Sequence, residues 1–239
     1  MSDGVRFFSA GPLSVFAIIL LLGLIILIIP LLVFGIIGAA FTRLGFSWIS
    51  ALAIVLLMVL GSFVDIPVYH IRRDMIRISH PADSSVYGEF IQPLPSQVWD
   101  IPISLNLGGA VIPACVSIYL AYQAILIIGT SFLIFLFMGT IFVAVISYVA
   151  TRLDPGSGIQ VPILIPGLTA LLSGLLLSGG VGLSAAATAF VSGIAGTLLG
   201  GNIAQLFRVN DLEASSVSIG GAGTFGAIFV CCILPALIA

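Results

Sequence analysis

Residues 101–151 carry no charged side chain, and neither do residues 155–207. No water-soluble fold hides stretches of that length. A helical crossing of a bilayer core takes about 20 apolar residues, so each stretch holds a pair of crossings and the chain reads as a polytopic membrane protein. Composition agrees: hydrophobic residues make up 60% of the chain and charged ones 7%, against roughly 25% charged in a soluble domain.

Seven apolar spans are expected, at about 13–41, 46–69, 103–122, 125–151, 158–179, 182–206 and 215–238. The first is far longer than a cleavable signal segment and reads as an anchor. Seven crossings place Arg6, Arg72, Arg73, Arg77, Arg152 and Arg208 on one face and only Arg43 on the other. That bias follows the positive-inside rule. It predicts a cytoplasmic N-terminus, an outside C-terminus and short external connections near Tyr122–Gln123 and Gly179–Gly180. The loop 70–101 is the one sizeable cytoplasmic feature, in which segments 74–79 and 86–92 alternate apolar and polar residues and are expected to pair as a hairpin.

Several chemistries are excluded or disfavoured by the residues available. All seven basic residues are arginine, so no lysine Schiff base or P-loop exists. His70 and His80 have no cysteine or acidic cluster at metal-ligand spacing, and neither a metal nor a cofactor is expected. Cys115, Cys231 and Cys232 lie in apolar runs and read as buried small hydrophobes. The expected partners are the lipid bilayer and either a second copy of the chain or other membrane proteins, with no nucleic acid.

A short motif recurs. Leu105-Asn106-Leu107-Gly108-Gly109-Ala110 opens the third span, and Val217-Ser218-Ile219-Gly220-Gly221-Ala222 opens the seventh. Leu60-Gly61-Ser62 and Leu199-Gly200-Gly201 end the spans before them. The pattern suggests parallel repeat halves, 13–122 and 158–238, joined by a linker helix at 125–151 within a single membrane domain. Such 3+1+3 designs occur among transporters. The paired glycines have two readings: close helix packing, or irregular backbone facing a wet cavity. In the sixth span, Ala185, Ala189 and Gly193, and again Ser192, Gly196 and Gly200, recur every four residues, which predicts a central helix with neighbours on several sides.

The polar residues at membrane depth are not scattered. Asp65, Asn106, Gln160, Asn202 and Ser218 all fall at the cytoplasmic ends of their spans. With Gly108, Gly109, Gly220 and Gly221 they form the candidate binding set for a substrate or ion. Asp65 is the sole acid within an apolar span, and such a residue is a functional candidate. Its alternative reading is a carboxylate snorkelling to water, since Arg72 is only seven residues on.

Four segments carry a family resemblance: Gly-Ser-Phe-Val-Asp-Ile-Pro-Val-Tyr (61–69), Asn-Leu-Gly-Gly-Ala-Val-Ile-Pro (106–113), Val-Ser-Gly-Ile-Ala-Gly-Thr-Leu-Leu-Gly (191–200) and Ser-Ile-Gly-Gly-Ala-Gly-Thr-Phe (218–225). Together they resemble an uncharacterised, largely archaeal multi-pass membrane family, domain of unknown function 1614. The resemblance implies a prokaryotic cell membrane and brings no activity with it. It also implies departures: relatives tend to carry Asp where this chain has Asn202 and Gly226, and Asn where it has Asp65.

One enzyme class merits a test on the residues. Pro235-Ala236-Leu237 is similar to the Pro-Ala-Leu element of presenilin-like intramembrane aspartyl proteases. Those enzymes need two membrane carboxylates sharing a proton, and the position for the second holds Thr224. The expected reading is therefore not an enzyme. It is a transporter or channel-like protein for a small solute or ion, with a non-catalytic subunit or scaffold of a larger membrane complex as the alternative.

Overall fold

The computed structural model describes residues 12–75, 97–154, 158–209 and 216–236. It is a predominantly helical membrane protein. The helices are α1 (Pro12–Arg43), α2 (Trp48–Gly61), α3 (Ile112–Ile128), α4 (Phe132–Ala150), α5 (Ile165–Ser178), α6 (Leu183–Gly196), the single turn α7 (Leu206–Val209) and α8 (Phe225–Ala236). Five strands accompany them: β1 (Asp65–Met75), β2 (Gln97–Asn106), β3 (Arg152–Asp154), β4 (Gly158–Gln160) and β5 (Val217–Ile219).

Three stretches are long and apolar enough to cross a bilayer as continuous helix among the described residues: Leu107–Ile128, Phe132–Ala150 and Leu183–Arg208. Helices α2 and α5 have 14 residues each and α8 has 12. At 1.5 Å per residue those reach only about 18–21 Å, short of the roughly 30 Å core. In all three the shortfall falls at the same end of the molecule, where extended chain replaces the expected helix.

Here the sequence expectation is corrected. Residues 62–69, 103–106, 158–164 and 216–224 were expected to be helical, and instead they supply a turn, strands and loops. Pro67 explains the first case, because it disfavours helix at Ile66 and lacks an N–H of its own. Pro162 acts alike before α5. The connection between α3 and α4 lies at 129–131 rather than at Tyr122–Gln123, since α3 continues to Ile128.

The extended pieces form a cap. Strands β1 and β2 pair antiparallel from Asp65↔Asn106 to Met75↔Gln97, with an irregularity between Pro67 and Tyr69. Strand β5 joins β2 in parallel, Ile103↔Val217 to Leu105↔Ile219, giving the order β1-β2-β5. Strands β3 and β4 form a separate small hairpin, which Val161 ties to the cap by donating its N–H to Gly223 O (2.9 Å). Pairing of this kind lets non-helical backbone persist beside a bilayer, where unpaired N–H and C=O groups cost several kcal/mol each. The hairpin expected between segments 74–79 and 86–92 falls almost wholly outside the described residues, and the β1–β2 ladder is a different pairing. Only Asp74 and Met75 of the first segment lie in β1, while 76–96, His80 among them, lie outside the described residues.

Helix α6 is the hub. Residues 185–194 are all buried, with α3, α4, α5 and α8 around them. Lipid tails are as apolar as the helices, so close backbone approach takes the place of the hydrophobic effect. A Cβ on Gly193 would stand 2.8 Å from Ala170 Cβ, and one on Gly196 would stand 2.6 Å from Val143 Cβ. Phe190 meets Phe41 of α1 edge-on, centroids 5.8 Å apart. Ser173 and Ser192 share a hydrogen bond between α5 and α6 (3.2 Å). Cys231 and Cys232 are buried in this core, but Cys115 lies exposed on α3, contrary to the expectation for all three.

Candidate functional site

The site is built where the helices give way to strand. Asp65 is the first residue of β1 and Asn106 the last of β2, and the two are register partners. Asn106 is almost wholly buried, at 1% exposure. Its Nδ2 donates to Ser62 O (2.8 Å) and to Asp65 Oδ1 (3.0 Å), and its Oδ1 accepts from Gly109 N (2.8 Å). Reversing the amide would face its oxygen with two other oxygens, so the three partners fix its orientation. One side chain thereby joins the end of α2, the start of β1 and the turn that opens α3.

That turn is a π turn over Leu107–Val111. A Cβ on Gly108 would run into the backbone of Met58 and Ser62, and one on Gly109 into the carbonyl of Gly220. Gly220 adopts φ +76°, a conformation that glycine reaches without strain. Gly221 leaves room for the Ser218 side chain, whose Oγ and Cβ a further carbon would meet. All four of these glycines are buried. They bring α2, the π turn and the β5–α8 turn together backbone against backbone.

Ser218, on β5, donates to Asp65 Oδ1 at 2.6 Å. Asp65 Oδ1 therefore carries two hydrogen bonds. Its Oδ2 takes none among the described residues, and no described cation pairs with it. Asp65 is exposed and lines a cleft of about 460 Å³ together with Gln160 of β4, Ser218 and the backbone of Gly158 and Gly223. Three strands from three separate connections thus meet around one carboxylate.

Asn202 closes the layer behind the cleft. It ends a second π turn, Thr197–Asn202, at the foot of α6, and is fully buried. Its Oδ1 accepts from Gly220 N (3.3 Å) and Thr224 Oγ1 (3.0 Å), and its Nδ2 donates to Thr197 O (3.4 Å). Asn106 and Asn202 thus hold opposite sides of the Gly109–Gly220 contact.

Of the sequence-derived set, Asp65, Gln160 and Ser218 share the cleft, Asn106 lies beneath Asp65, and Asn202 lies deeper, bonded to Gly220 and Thr224 and not lining the cleft. Asp65 is on a strand, not within an apolar helix as expected. Sequence reasoning passed over Ser62 and, in this role, Thr224. Thr224 had a readable signal, being the polar residue two positions after the Gly-Gly-Ala motif. The Ser62 contact is made by a backbone carbonyl and leaves no trace in residue type.

The two Gly-Gly-Ala motifs lie side by side and run in the same direction, since β2 and β5 are parallel. Their local structures differ: the first pair of glycines sits inside a π turn and the second in a tight turn ahead of α8. Chemically, the cleft offers one anionic oxygen, a hydroxyl, an amide and free space. That is a set of ligands for a cation or for a small polar solute bearing positive charge. Residues 59–238 match the model of a family described as protein of unknown function (DUF1614). No curated protein and no solved structure matches the chain.

Proposed function

The chain belongs to the DUF1614 family, and from that premise we propose that this integral membrane protein is a transporter or channel-like protein for a small cation or cationic solute, with the Asp65 cleft as its binding site on the cap side. The observation that carries the reading is the carboxylate itself. Asp65 Oδ1 is pinned by Asn106 and Ser218 while Oδ2 is left to the cleft without a cation among the described residues. A pre-oriented charge of this kind spends little ordering entropy when a ligand arrives.

In this reading Ser218 and Gln160 orient the solute, and Asn106 holds the carboxylate in place. The glycines Gly108, Gly109, Gly220 and Gly221 let the cap seat tightly on α2, α3 and α8. In this reading, which the arginine bias supports, the cap and the N-terminus face the cytoplasm of a prokaryotic cell and the C-terminus lies outside.

The test is a binding screen on the purified full chain. Unfolding temperature is followed with alkali, alkaline-earth and organic cations, for the wild type and for D65N. A bound ligand at a hundred times its Kd stabilises by about 2.7 kcal/mol. At least one cation should raise the wild-type transition and leave D65N unmoved. If every cation shifts both proteins equally, the Asp65 site is wrong.

The alternative, a subunit of a larger assembly, is favoured by one feature. Strand β1 is the edge of its sheet, and an edge offers unpaired N–H and C=O groups to a partner strand. Native mass spectrometry after extraction from the host membrane separates the readings, since a discrete heteromeric mass favours the subunit.

A further inference from the structure

At the end of the molecule opposite the cap, a pocket of about 320 Å³ opens where α1 ends and α3 and the start of α6 approach. Its polar side is formed by Thr42, Arg43, Tyr119 and Gln123, and its apolar side includes Ala124 and Ile127. Arg43 is exposed, terminates α1, and makes no hydrogen bond or ion pair with any described residue. Gln123 Nε2 donates to Tyr119 Oη (3.2 Å), so the tyrosine O–H remains able to donate into the pocket.

The surroundings make this arginine unusual. The connections at this end, residues 44–47, 129–131 and 179–182, hold no acidic and no other basic residue. No described acidic residue at this end compensates the charge, which sits at the mouth of an apolar slot. A water-soluble anion would gain nothing from the Ala124 and Ile127 side of the slot. An amphiphile fills both halves: its anion meets the guanidinium, and its chain lies against α3.

We propose that this pocket is a binding site for a membrane phospholipid, with Arg43 holding the phosphate through its paired N–H donors, Tyr119 as a second donor, and an acyl chain running past Ala124 and Ile127. Guanidinium matches phosphate bidentately. The site is independent of the Asp65 cleft.

Native mass spectrometry of the full chain in detergent tests it. The wild type, R43Q and R43K are each titrated with phosphatidylglycerol, with diacylglycerol of the same chains, and with inorganic phosphate alone. The wild type should retain phosphatidylglycerol and neither of the others. R43Q should bind about tenfold more weakly, as loss of a charge-assisted hydrogen-bonded pair implies, and R43K should fall between them. Equal retention by R43Q, or R43K as tight as the wild type, overturns phosphate recognition by the guanidinium fork. Diacylglycerol bound as well as phosphatidylglycerol reduces the pocket to an acyl groove, and inorganic phosphate retained alone makes it a free-anion site; either result overturns the proposal. Arg43 is exposed at a helix end, so R43Q should fold; the wild-type ligand series decides the question by itself if it does not.

Discussion

Asn106→Ala removes a side chain that makes three hydrogen bonds at the junction of the cap and the helices. The three losses are unequal. Gly109 N is buried beside Gly220, so it loses its partner with no water to replace it, at about 1–3 kcal/mol. Ser62 is half-buried, and its carbonyl recovers part of its bond from solvent. Asp65 is exposed and rehydrates, so its loss adds little. The small cavity left by the amide adds about 1 kcal/mol. The sum is about 2–4 kcal/mol, which for a chain of this size lowers the melting temperature by roughly 5–15 °C. Thermal unfolding of the purified full chain, followed by far-ultraviolet circular dichroism, reads this directly. Asp65→Asn serves as the comparison, because its amide oxygen still accepts from Asn106 and Ser218 and its melting temperature should stay within about 2 °C. If Asn106→Ala melted as the wild type does, Asn106 would not be the junction described above.

Two further perturbations probe the same seam. Gly108→Ala should destabilise by at least 1–3 kcal/mol, because the atoms its Cβ meets are backbone of Met58 and Ser62 and cannot swing aside; a wild-type melting temperature would mean α2 is not seated on the π turn. Asn202→Ala should cost about 1–3 kcal/mol by leaving Gly220 N buried without an acceptor, and hydrogen exchange at Gly220 and Thr224 should accelerate; unchanged protection there would remove Asn202 from the layer behind the cleft.

How far the sequence announced this structure depends on the element. The membrane character was legible because charge is so costly in a bilayer that its absence over 101–151 and 155–207 leaves few alternatives. The central place of α6 was legible for a like reason, since residues that permit close backbone approach must recur at helical spacing, and Ala185, Ala189 and Gly193 do so. The cap was not. Ile66, Val68, Ile159 and Ile219 are apolar in either a helix or a strand, and short apolar runs cannot be told apart by periodicity. Pro67 and Pro162 fall inside the expected spans 46–69 and 158–179, yet both lie in the extended chain. Pairing of β2 with β5 joins residues more than a hundred positions apart, which no local pattern records. For the cleft, residue types pointed to Asp65, Gln160 and Ser218, but the partition between lining and support came only with coordinates. Asn106 and Asn202 look alike in sequence and differ because each is enclosed by a different backbone turn.

Net movement of a charged solute through the membrane tests the account most directly. Proteoliposomes holding the wild-type chain, Asp65→Asn, or no protein are adsorbed on a solid-supported membrane. Currents are recorded on exchange into each cation that shifts the wild-type melting temperature. The account predicts a current in the wild type that saturates with concentration, and its loss in Asp65→Asn at unchanged protein content and fold. A wild-type current equal to that of empty liposomes, or one that Asp65→Asn carries just as well, would contradict it.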